Sequence, residues 1–132
     1  MEKMIGYWVV GYLVMDAVYV ALSRAYYLDK VSLVAGAPPG DLAKVAFCAA
    51  GAYALMALGW ACIVVPAIPP RATPLQAAKT GALYGLVLYG VFNFTTGAMF
   101  DNWKSDVMLR DTAWGTASIA AFTAAYAAFG RK

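Results

Sequence analysis

The 132-residue sequence contains no histidine. That absence removes the commonest metal ligand, the usual haem ligand and the usual general base together. No haem or metal cluster is therefore expected, and enzymatic catalysis falls behind other functions. Charge is also scarce: Asp, Glu, Lys and Arg make up 13% of the chain against 63% hydrophobic residues. That is too little polar surface to cover a soluble globule. The formal net charge of +3 is spread over every loop, so there is no basic patch of the kind that binds nucleic acid, and lipid headgroups are the expected anionic neighbours. Cysteine is limited to Cys48 and Cys62. They fall in one expected helix about 21 Å apart along its axis, cannot bridge each other, and read as buried free thiols acting as small hydrophobes.

What is present is apolar sequence in four runs, each near the roughly 20 residues that a spanning helix needs. The expected fold is all-α: one integral membrane four-helix bundle over residues 1–132, with spans at about 4–23, 44–65, 80–100 and 112–129. The first run is too long for a signal-peptide core and has no small-residue cleavage site after it, so it reads as a retained helix. Tyr7, Trp8, Tyr19, Tyr26 and Tyr27 read as interfacial belt residues. From Arg24 to Lys44 the pattern predicts a polar loop. Within it Val31 to Ala37, too short to span, forms an interfacial segment between helices 1 and 2. Asp41 is placed as the N-cap of the second span and Pro66 as its stop. Ala46, Ala50 and Ala54 make a small-residue seam there, with Tyr53 and Trp60 as bulk elsewhere. Prolines 66, 69, 70 and 74 predict a stiff turn before the third span, which opens with Gly81-x-x-x-Gly85, a packing motif. The fourth span is largely alanine and inserts weakly alone, so neighbours must hold it, with Ala117, Ala121 and Ala125 as its expected packing face.

The unusual residues gather in one half of the bilayer. Asp16 lies just past the middle of the first span, where an uncompensated carboxylate costs several kcal/mol. Asn93 sits at nearly the same depth in the third span. Thr95 and Thr96 follow it, and the chain leaves the membrane through Asp101 and Trp103. Asp111 and Trp114 bring the fourth span back into the same half, with Asp111 read as its N-cap. Asp16, Asn93, Thr95, Thr96, Asp111 and Trp114 are thus the candidate intramembrane polar cluster, and Asp101 and Trp103 its interfacial edge. One reading makes Asp16 structural, hydrogen-bonded to Asn93 or a hydroxyl and worth on the order of 1 kcal/mol. The other makes it an ionisable group for proton transfer or for binding a small cationic or hydroxylated ligand. The spacing of Asp101, Asp106 and Asp111 fits no known calcium loop.

Several of these motifs fall into a known pattern. Asp16 with Tyr26-Tyr27, Val65-Pro66-Ala67, Gly81-Ala-Leu-Tyr-Gly85, Tyr89-Gly90 with Thr95, Ala98 and Trp103, and Asp111-x-x-Trp-Gly115 together cover nearly the whole chain. The sequence resembles a family of small predicted four-span membrane proteins of prokaryotes and algal viruses, a domain of unknown function. In that family's pattern an Asp stands where this chain has Asn93, and an Asn where it has Thr96. The resemblance implies a four-helix membrane fold with a polar centre and supplies no reaction. Exchanging an acid for its amide keeps hydrogen bonding and removes titration. That favours a non-catalytic accessory or structural subunit of a larger membrane assembly, photosynthetic or respiratory for instance, with lipids, other subunits and pigments as expected contacts. The alternative is a small proton-coupled transporter or channel-like protein acting through Asp16.

Lys and Arg divide evenly between the two sides, with Lys3, Arg71, Lys79, Arg131 and Lys132 on one and Arg24, Lys30, Lys44, Lys104 and Arg110 on the other. Acidic residues concentrate on the second side. Both termini are accordingly expected on the cytoplasmic, stromal or matrix face of a bacterial inner or organellar membrane.

Overall fold

The computed structural model describes residues 2–35 and 41–130. Four helices follow one another: α1 (Glu2–Ala35), α2 (Leu42–Ala67), α3 (Pro74–Met99) and α4 (Ser105–Ala125), the last continued by a π-helical turn at Tyr126–Gly130. No strand occurs among the described residues. Gly6–Val31 of α1, and α2 and α3 throughout, are long and apolar enough to cross a membrane. The alanine-rich α4 does not reach that standard and is held by packing.

The first helix corrects the expected loop after Arg24. Neither Gly nor Pro interrupts residues 24–35, and the helix runs on through them. Its extension lies along α4: Tyr26 Oη donates to Asp106 Oδ2 at 2.8 Å, and the Arg110 guanidinium sits 4.4 Å above the Tyr26 ring. The expected interfacial piece is therefore helix from Val31 to Ala35. Residues 36–40 lie outside the described residues, as do Arg131 and Lys132 of the charge tally.

Asp41 caps α2, its Oδ1 accepting from the Ala43 and Lys44 amides at 2.9 and 3.2 Å. Near its other end the helix widens into a π-helical turn, Trp60–Val64, in which the Val65 amide donates to the Trp60 carbonyl. Pro66, which has no amide hydrogen to continue the ladder, follows at once, and the helix ends at Ala67. Both cysteines are exposed on α2 rather than buried. This helix meets the bundle mainly through its second half.

Helix α3 starts earlier than expected, at Pro74, because Thr73 and Gln76 form a capping box. The best-packed pair is α3 against α4. A Cβ on Gly81 would lie 2.7 Å from the Ile119 carbonyl oxygen, and one on Gly85 3.0 Å from Thr116 Cα. Only hydrogen at these two positions lets the backbones meet. The face of α4 that packs is Gly115, Ser118, Ile119, Phe122 and Thr123, while Ala117 and Ala121 are exposed. Of the expected packing face only Ala125 is half-buried, and Gly115 and Ser118 take the place of the other two alanines.

The termini-bearing end is closed by aromatic contacts. Phe122 stands edge-on to Trp8, Tyr12 and Trp60 at 5.1 to 5.9 Å, and Tyr126 does the same to Trp60 at 5.0 Å. Val64, Ile68, Ala77 and Ile119 complete this core. At the opposite end residues 42–52 of α2 are exposed throughout. The molecule is a wedge, tight at one end and open at the other.

Candidate functional site

The open half of the wedge is where the polar side chains converge. Asp16 is only 5% exposed, and two neutral donors hold its two oxygens. Tyr53 Oη donates to Oδ2 at 2.8 Å and Trp114 Nε1 to Oδ1 at 2.7 Å. Each comes from a different helix, so the carboxylate ties α1 to α2 and α4. The Trp114 ring is fixed in turn by a parallel stack on Tyr19, 3.9 Å between centroids.

Asn93 belongs to a second, adjoining centre. It is fully buried, its Nδ2 donating to Asp111 Oδ2 at 2.8 Å and to the Tyr89 carbonyl at 2.9 Å, while its Oδ1 accepts from Trp103 Nε1 at 3.1 Å. Asp111 also receives a long bond, 3.5 Å, from Tyr27 Oη. Of the two partners expected for Asp16, Asn93 or a hydroxyl, it is a hydroxyl, that of Tyr53, that donates to it, while Asn93 turns to Asp111. Asp111 is not the N-cap of α4. The helix begins at Ser105, and Asp111, inside it, points its carboxylate sideways to α3 and α1 instead of at its own amides.

Of the residues singled out from the sequence, Asp16 and Trp114 meet directly, as do Asn93, Asp111 and Trp103. Thr95 is exposed, Thr96 donates to the Phe92 carbonyl of its own helix at 2.7 Å, and Asp101 lies exposed in the turn after α3. Tyr53, Tyr27 and Tyr89 join the site from outside the expected cluster. Tyr53 and Tyr89 are phenols well inside their spans, whereas Tyr27, read as a belt residue, carries no such signal. Among the described residues no three His, Cys, Asp or Glu side chains gather closely enough to hold a metal ion. Asp106, which precedes the apolar part of α4, accepts from Tyr26, and that bond holds its carboxyl below the ordinary carboxylate range.

A cavity of about 660 Å³ opens between α1 and α2 and reaches α4. Asp16 and Asp111 both line it, with Arg24, Tyr53, Tyr89 and Trp114. Val20, Leu28, Val31 and Val45 supply apolar wall. A second gap of about 340 Å³, between α2 and α3, also reaches Tyr89 and Asp111. The buried side-chain polar atoms are hydrogen-bonded throughout the described residues, so the carboxylates are pre-organised rather than strained.

A helical bundle of this length, with three apolar spanning helices and a fourth packed on Gly81 and Gly85, defines a small multi-pass membrane protein. The chain belongs to the family described as "Predicted membrane protein (DUF2177)", whose model matches residues 3–129. No curated protein and no solved structure matches it.

Proposed function

We propose that this chain is a small, non-catalytic membrane protein that binds a solute and carries protons at membrane depth, with Asp16 as the shared group. The cavity that brings Asp16 and Asp111 onto one surface carries this reading. A carboxylate kept only to hold helices together needs donors and no space. Here both acids have their donors and a cavity of about 660 Å³ beside them. Those donors are neutral, so they orient the negative charge without cancelling it.

Liposomes loaded with a pH-sensitive dye and placed under a potassium diffusion potential test the proposal. Wild-type protein carries protons, and Asp16→Asn, with unchanged helicity and elution, carries them at least about tenfold more slowly, the scale of losing one proton relay group. Equal rates for the two would overturn the reading.

A second reading, an accessory subunit of a larger photosynthetic or respiratory assembly, is favoured by the α2 seam. Ala46, Ala50 and Ala54 are all exposed, so among the described residues nothing covers the surface that suits close helix packing. Purification in mild detergent separates the two: migration of the chain alone or as a simple homo-oligomer removes the subunit reading. In either reading the termini are placed on the cytoplasmic, stromal or matrix side of a bacterial inner or organellar membrane, from the acidic bias of the opposite face.

A further inference from the structure

We infer that the solute is an organic monocation with an apolar body, a quaternary ammonium or phosphonium for example, seated between Asp16 and Asp111. This rests on the reading of the cavity as a solute site and adds the ligand's charge and character.

Charge comes first. Among the described residues, the titratable and charged groups facing the cavity are Asp16, Arg24, Tyr19 and Tyr27 from α1, Tyr53 from α2, Tyr89 from α3 and Asp111 from α4. With both acids ionised, the phenols neutral and Arg24 charged, two negative charges meet one positive charge. The Arg110 guanidinium lies over the Tyr26 ring and hydrogen-bonds the Tyr19 phenol from outside the cavity lining, and Asp106 is held by the same Tyr26. One monovalent cation, or one proton, restores neutrality. A neutral solute leaves the imbalance and an anion worsens it.

The rest of the wall decides between kinds of cation. A small inorganic ion asks for six or more oxygen ligands, or a rigid octahedron of them. The acids already spend oxygens on Tyr53, Trp114 and Asn93, and most of what remains is ring and branched aliphatic surface. Such a wall suits a cation whose charge is spread under carbon: the alkyl or aryl body meets Val20, Leu28 and Val45, and the Tyr53, Tyr89 and Trp114 rings offer cation–π attraction. Because the same charge deficit is filled by a proton or by the ligand, the two compete. Acidification protonates the site and expels the cation. Once the site is mainly protonated, binding falls up to about tenfold per pH unit for a single exchanged proton.

The chemistry is shared by free lipophilic cations and by the ammonium headgroups of membrane lipids, and the choice of bilayer separates these sources. Radiolabelled tetraphenylphosphonium is titrated onto the full chain in phosphatidylglycerol nanodiscs, with tetraphenylborate, the same shape carrying the opposite charge, as its partner. Saturable phosphonium binding, no borate binding, loss on acidification, and at least about tenfold weakening in both Asp16→Asn and Asp111→Asn are expected. Repeating the titration with phosphatidylethanolamine or phosphatidylcholine present identifies the source. Competition by those lipids assigns the site to a headgroup and indifference to a free solute, and both agree with an organic monocation. Equal binding of borate, or phosphonium binding that ignores pH in the wild type, would overturn the inference. Should either variant fail to fold, the wild-type charge preference and pH profile decide alone. Proton flux without phosphonium binding removes the ligand class and leaves the proton-carrying reading standing; absence of both removes both.

Discussion

Trp60 shows how much one polar atom does inside an apolar bundle. Its ring is wedged edge-on against Phe122 and Tyr126, and its Nε1 donates to Thr123 Oγ1 at 3.0 Å. Thr123, fully buried, donates onward to the Ile119 carbonyl at 2.6 Å. Trp60→Phe keeps most of the ring contact and removes the indole donor, while Thr123 keeps its own acceptor. The variant should lose about 0.5–1.5 kcal/mol in thermal unfolding in detergent, the range for a single interhelical hydrogen bond. An unchanged or raised midpoint would show that the bond contributes nothing. Residues of this kind are partly legible from sequence alone. Asp16, Asn93, Asp111, Trp103 and Trp114 stand out because each is a polar or indole group in an apolar run. Which of them touch was not legible, since depth along a helix follows from counting residues whereas rotation about its axis is set by packing. Asp16 and Asn93 share a level, yet Asp16 meets Tyr53 and Trp114. Tyr53 escaped notice because a phenol looks like bulk until a carboxylate is found within 2.8 Å of it.

At the scale of helices, existence was easier to read than extent. Four apolar runs gave four helices, but α1 continues past Arg24 and α4 begins ahead of Asp111, because Tyr26 and Tyr27 anchor one to the other through Asp106 and Asp111. Charged and aromatic residues in that stretch look like a loop when no partner is known. The π-helical turns at Trp60–Val64 and Tyr126–Gly130 left no signal beyond Pro66. The Gly81-x-x-x-Gly85 motif was readable, since close approach of two backbones admits few side chains. Gly85 faces the backbone of Gly115 and Thr116 across the α3–α4 contact, where no flexible side chain can yield. Gly85→Ala must therefore part the two helices. It should cost about 1–3 kcal/mol, as overpacking does elsewhere. Gly90→Ala is the control, because a Cβ there would meet nothing within 4 Å. If both variants unfold at the same temperature in detergent, α3 and α4 are not in the contact described.

Taken as a whole, the wedge makes the position of α2 its most consequential feature. Trp60 and Val64 lock one end of this helix into the aromatic core, and Tyr53 ties its middle to Asp16, while residues 42–52 stand exposed. Two neighbouring alanines in that exposed half then have different duties. Ala49 lines the cavity; Ala50 does not, and belongs to the uncovered seam with Ala46 and Ala54. Enlarging either to Leu in the isolated chain meets open space, so thermal unfolding should move by no more than about 0.5 kcal/mol in both variants. Their effects on binding should separate. Ala49→Leu takes up room beside Asp16 and Asp111 and weakens tetraphenylphosphonium binding severalfold, whereas Ala50→Leu leaves it unchanged. On native gels the pattern reverses if a larger assembly covers the seam, because only the bulkier residue at position 50 would dislodge a foreign helix. A loss above about 1 kcal/mol for Ala50→Leu in the purified chain would mean that α2 folds back onto its own bundle through the seam. The wedge would then be one position of a moving helix, and the cavity between α1 and α2 would depend on where that helix rests.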